Sequence, residues 1–147
     1  MDHLVNWLKT FLIELESSGA EDLINGALKK CGQDCACRGN ILDLATKTKS
    51  EIKDINDLKE VGAAVQRYFG GVITPVENGF IAEFGDGKCV CPMVGQKYIE
   101  SPLLCNCTKG YNEYLWSRFF DRPVNVEILS SALRAGDACR LRITYDT

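Results

Sequence analysis

Cys139-Arg-Leu-Arg-Ile-Thr-Tyr145 alternates strictly, with Cys139, Leu141, Ile143 and Tyr145 on one side and Arg140, Arg142 and Thr144 on the other. Period-two alternation describes a strand with one buried and one wet face, the usual condition of an antiparallel sheet. Just upstream, Pro123 admits a strand whose inward residues are Val124, Val126 and Ile128, and Ala135-Gly136-Asp137 makes a turn between the two. The two strands are expected to pair antiparallel, since a one-residue slip would bury Arg140 and Arg142. A helix over 108–120, capped by Thr108, carries Tyr111, Leu115 and Phe119 on one face and is expected to cover the side that holds Val126 and Leu141.

Further upstream, residues 72–76, 80–84 and 88–91 read as short strands separated by Glu77-Asn78-Gly79 and Gly85-Asp86-Gly87 turns. The N-terminal half reads as helical. Leu4, Trp7, Leu8, Phe11, Leu12 and Leu15 recur at three- and four-residue spacing up to Ser17-Ser18-Gly19. A second helix over 21–30 has acids first, lysines last and Gly32 as its stop. A short helical piece over 41–45 precedes a lysine-rich loop. Then Ile55, Leu58, Val61, Val65 and Tyr68 mark a helix with Asp54 or Asn56 as cap and Gly70-Gly71 as its end. The expectation is one α+β domain over 1–147: an antiparallel sheet with helices packed on one face, and an N-terminal helical segment.

Composition narrows the function. A chain of 147 residues with net charge −3 has no basic excess for nucleic acid, and no apolar run long enough to span a membrane. Asp2 stands where an export signal would be basic, so the chain reads as cytoplasmic and its eight cysteines as reduced thiols. Cys89-Val-Cys91 and Cys105-Asn-Cys107, with Cys139, form the densest group. Four thiolates suit a closed tetrahedral zinc site; redox thiols and small core residues are the other readings. Cys31, Cys35 and Cys37 form a second possible site, with Cys31 and Cys35 one helical turn apart. No nucleophile–base pair assembles: His3 is the single histidine, and Glu113 and Glu127 are the nearest carboxylates to the cysteines. The sequence names no catalytic residue, and whether the chain is an enzyme stays open.

At Cys105-Asn-Cys-Thr-Lys-Gly-Tyr111, Phe120-Asp-Arg-Pro-Val-Asn-Val-Glu127 and Arg134-Ala-Gly-Asp-Ala-Cys-Arg-Leu-Arg-Ile143, the chain resembles the 4-vinyl-reductase domain family. That family belongs to a superfamily with NO/haem sensors and TRAPP tethering subunits. The size and extra cysteines look similar to bacterial relatives that include the L-2-amino-thiazoline-4-carboxylate hydrolases. The resemblance implies a pocket for a small organic ligand between sheet and helices, a homodimer, and a nearby zinc. In the family's pattern the zinc is held by a cysteine before the helix, a Glu and a Cys on the Arg-Pro-Val strand, and the last Cys. Cys105 or Cys107 and Cys139 match two positions, whereas Ile128 stands at the Glu position and Ser131 at the strand cysteine. Cys89 and Cys91 would supply the missing thiolates. Without a haem-binding histidine, haem sensing is disfavoured. Ligand binding, hydrolysis of a small sulfur- or nitrogen-containing ring, and a protein–protein module are the three functions implied.

Overall fold

The computed structural model describes residues 2–85, 103–131 and 138–146. Helices α1 (Asp2–Ser17), α2 (Glu21–Arg38), α3 (Ile41–Ser50) and α4 (Leu58–Phe69) precede strands β1 (Val72–Val76) and β2 (Gly79–Phe84). Helix α5 (Leu104–Phe120) then leads to β3 (Val124–Ser130) and β4 (Cys139–Tyr145). The fold is α+β, as the alternation predicts. The four strands lie in the order β1-β2-β4-β3 with every pair antiparallel. The expected strand at 88–91, its two cysteines, and the turn at 135–137 lie outside the described residues.

The β3–β4 register sets Val126 opposite Ile143 and Ile128 opposite Leu141, with a bulge between Ile128 and Ser130. β2 adds Phe80 opposite Ile143 and Ala82 opposite Leu141, so one face of the sheet is continuously apolar. The other face carries Arg140–Glu83 and Arg142–Glu127 ion pairs, each 3.2 Å long and each between directly opposed residues. The guanidinium groups thus stay in water. Their pairing adds little energy but fixes which side is wet.

α5 covers the apolar face. Trp116, Phe119, Phe120 and Leu115 are buried among Phe80, Val126, Leu141 and Ile143. Trp116 meets Phe80 edge-to-face at 4.9 Å and Phe119 at 5.2 Å, and Phe120 lies 5.0 Å from Tyr145. Each such ring contributes roughly 1.5–3 kcal/mol by burial, so these contacts outweigh any local propensity. The helix ends at Asp121, which takes the left-handed conformation usually given to glycine (φ 54°), and Pro123 comes after Arg122.

Several local expectations are corrected by tertiary packing. Gly32 does not stop α2: the helix runs on to Arg38 with Gly32 buried inside it. A Cβ on Gly32 would lie 1.9 Å from the Cys107 carbonyl oxygen, and one on Gly110 would lie 2.0 Å from that of Lys29. Two glycines therefore let α2 and α5 cross backbone to backbone, and the contact so gained overrides the ~1 kcal/mol that glycine costs a helix. The lysine-rich loop is instead the second half of α3, held because Ala45 and Thr48 are buried. Its Thr46 and Thr48 hydroxyls donate to the carbonyls of Leu42 and Leu44. In α4 the cap is Asp57, not Asp54 or Asn56: its carboxylate accepts from the Lys59 and Glu60 amides. α5 starts at Leu104, before Thr108, whose hydroxyl bonds back to the Leu104 carbonyl.

α1 forms as its periodicity requires, but its stripe is mostly wet. Leu12 is buried against Leu104, while Leu4, Trp7 and Phe11 are 64%, 58% and 46% exposed. Trp7 and Phe11 stack on one another at 5.4 Å. Among the described residues no helix is long and apolar enough to cross a membrane.

Candidate functional site

The thiols sort themselves around α5. Because the helix begins at Leu104, Cys105 and Cys107 are inside its first turns and diverge. Cys105 points into the protein, and Cys107 is half-buried on the side facing α2. A Cys-x-Cys pair on a strand would share a face. On a helix the two residues are roughly 200° apart, so Cys105 and Cys107 do not share a face.

Cys105 has a definite neighbour. Its Sγ lies 3.0 Å from the Oγ of Ser131, with both residues buried (6% and 3% exposed). Ser131 follows directly on β3, and the preceding Ser130 hydroxyl donates to the Ala138 carbonyl at 2.8 Å. That bond ties the end of β3 to the start of β4, where Cys139 is half-buried and opposite Phe84 of β2. The first turn of α5, the end of β3 and the start of β4 therefore meet at one corner of the fold. Cys89 and Cys91 belong to the connection between β2 and α5 and lie outside the described residues. Among the described residues, no three His, Cys, Asp or Glu side chains come together as a metal-ligand group. Cys105 and Cys139 suit a soft ion by donor type, but the described residues do not complete its coordination.

The carboxylates do not join this corner. Glu113 pairs with Lys29 at 2.8 Å across the α2–α5 crossing, and Glu127 pairs with Arg142 on the wet face of the sheet. His3 sits exposed on α1. Nothing among them faces a thiol as a general base must.

The second group, Cys31, Cys35 and Cys37, is helical and exposed along α2, whose length carries it past the expected end at residue 30. Cys37 hydrogen-bonds Tyr114 on α5 and so pushes that phenol above its usual 10.0. Tyr111 is also raised, first by burial and then by the nearby Cys35 thiol. The two phenols thus stay protonated alongside the α2 thiols. Sequence reasoning missed Ser131, Tyr111 and Tyr114 as partners of the cysteines; only Ser131 had a signal, its place in the resemblance.

These features define an α+β protein in which Cys105 and Cys139, buried and half-buried, lie at a sheet corner on one side of α5 while Cys31, Cys35 and Cys37 are exposed on the packed helix α2. Residues 2–147 match the model described as "Family of unknown function (DUF6144)", and the chain belongs to that family. No curated protein matches it.

Proposed function

We propose that this chain is a small-molecule-binding protein with a cysteine-ligated metal, zinc or a similar soft ion, at the α5–β3–β4 corner. The observation that supports this most is the buried 3.0 Å contact of Cys105 with Ser131. In the 4-vinyl-reductase resemblance these two positions are co-ligands, so their meeting here is what that relationship would require. A hydroxyl is a poor donor to a soft ion, so the proposed ligand set is Cys105 and Cys139 with Cys89 and Cys91 from the β2–α5 connection. The organic ligand is proposed to sit at the same corner, because the rings of Phe80, Trp116 and Phe119 fill the space between the sheet and α5. Thiolate ligation goes with a reducing, cytoplasmic setting, and Cys31, Cys35, Cys37, Cys105 and Cys139 are free thiols.

Binding is favoured over hydrolysis, since Glu113 and Glu127 are held in ion pairs elsewhere. The test is elemental analysis with native mass spectrometry of the reduced protein. About one zinc per chain is expected, lost in Cys105→Ser and Cys139→Ser and kept in Cys37→Ser. A reduced wild type that takes up no added zinc overturns the metal reading.

One observation supports a second reading, an interaction module. The stripe of Leu4, Trp7 and Phe11 on α1 is exposed in a helix of sixteen residues, a length that is marginal on its own in water. Sedimentation of the wild type against Leu4→Ala/Trp7→Ala/Phe11→Ala tests it: a dimer that the triple variant abolishes supports this reading, and identical monomers remove it.

A further inference from the structure

We infer that Cys31 and Cys35 form a two-thiol site on α2 for a soft monovalent cation of the Cu(I) class, separate from the corner that holds Cys105. The rotation of α2 about its axis is set by what it buries. Ile24, Gly32 and Ala36 face the protein, with Gly32 pressed against the Cys107 carbonyl of α5. Cys31 and Cys35 each stand one residue before a buried small residue, Gly32 and Ala36, so both fall on the same flank, and both are exposed. Cys37 follows Ala36, lies roughly 200° around the helix from Cys35, and is engaged by Tyr114. Among the described residues the site therefore has two thiols and not three.

Two thiols at this spacing select a coordination number. Residues four apart on a helix have Cβ atoms about 5–6 Å apart. With metal–sulfur bonds of roughly 2.3 Å, two sulfurs on opposite sides of one ion are about 4.6 Å apart, within reach of ordinary Cys rotamers. A tetrahedral ion needs two more donors, and among the described residues no third His, Cys, Asp or Glu joins the pair. Thiolate ligands suit Cu(I) and Zn alike, but zinc takes four ligands, so a pair of thiols alone favours Cu(I). Binding is a ligand exchange without redox change: Cu(I) forms two Cu–S bonds, the two thiols release their protons to solvent, and the site gains one net negative charge.

The test presents Cu(I), as a complex with a competing chelator, to the reduced protein under anaerobic conditions and counts copper retained per chain. Cys31→Ser and Cys35→Ser should each retain one copper fewer than the wild type, and Cys37→Ser should retain as much as the wild type. Zinc content should be equal in all four proteins, which separates this site from the proposed corner. Equal copper in wild type and Cys31→Ser overturns the inference, as does an equal loss in Cys37→Ser, which would mean that copper binds any exposed thiol. Far-UV circular dichroism checks that the exposed-site variants remain folded.

Discussion

Gly32→Ala puts the closeness of the α2–α5 crossing to a direct test. The new methyl would start 1.9 Å from the Cys107 carbonyl oxygen and 2.7 Å from the Tyr111 amide nitrogen. Reaching even 3.0 Å from that oxygen needs a displacement of at least 3.0 − 1.9 = 1.1 Å. Both obstacles are backbone, so no side chain can swing aside, and α2 itself must move. That movement loosens Ile24 and Ala36 from their packing and strains the Lys29–Glu113 pair. Overpacking of this kind costs about 1–3 kcal/mol, here near the upper end, and alanine returns about 1 kcal/mol of helix propensity. The net loss is then about 2 kcal/mol, or a fall in Tm of about 4–8 °C for a chain of this size. Gly26→Ala supplies the internal control, because it lies in the same helix and a Cβ there meets nothing within 4 Å. It should stabilise by about 0.5–1 kcal/mol. Thermal and urea unfolding of the two variants decide the matter. If Gly32→Ala is as stable as Gly26→Ala, the helices are not in backbone contact and the placing of the α2 thiols beside α5 fails with it.

Asn112→Ala should cost about 1–3 kcal/mol in urea unfolding, because the Trp116 indole N–H, in a residue 1% exposed, loses the Asn112 Oδ1 it now bonds at 3.0 Å. The cost should shrink when Trp116→Phe is made as well; additive losses would show that the bond is not what stabilises the pair. On α1, Trp7→Ala should change stability by no more than about 0.5 kcal/mol, whereas Leu12→Ala, at a residue 5% exposed, should cost about 2 kcal/mol or more. Reversal of that order would mean that the α1 stripe is buried in solution. Stability should also fall as pH rises above 10.0, the usual tyrosine value. Tyr68, Tyr111 and Tyr114 all hold their protons more tightly when folded: Tyr68 through its bond to Glu51, Tyr111 through burial, Tyr114 through its bond to Cys37. Below that pH both states are protonated and nothing is lost; above it the unfolded chain ionises first and is favoured. Phenolate absorbance should therefore rise later in native than in urea-unfolded protein, and coincident titrations would contradict this.

The β3–β4 pair was legible in the sequence because its information is local. Alternation of Leu141 and Ile143 with Arg140 and Arg142 permits one face only, and the structure keeps both arginines on the wet side. The positions of β1 and β2 were legible for the same reason, with turns at Asn78-Gly79 between them. The length of α2 was not legible, since a glycine reads as a stop unless one knows that Gly110 and the Cys107 carbonyl come from another helix to meet it. The start of α5, about one turn before Thr108, was not legible either, because Thr108 is a good cap by type and only the burial of Leu104 and Cys105 extends the helix past it. That extension decides the chemistry: it separates Cys105 from Cys107 and turns the first toward Ser131. Residue types and spacing determine which groups a protein has and which local faces they share. Which of them meet is set by long-range packing, where the burial of a few rings and the close approach of two glycines outweigh every local preference that opposes them.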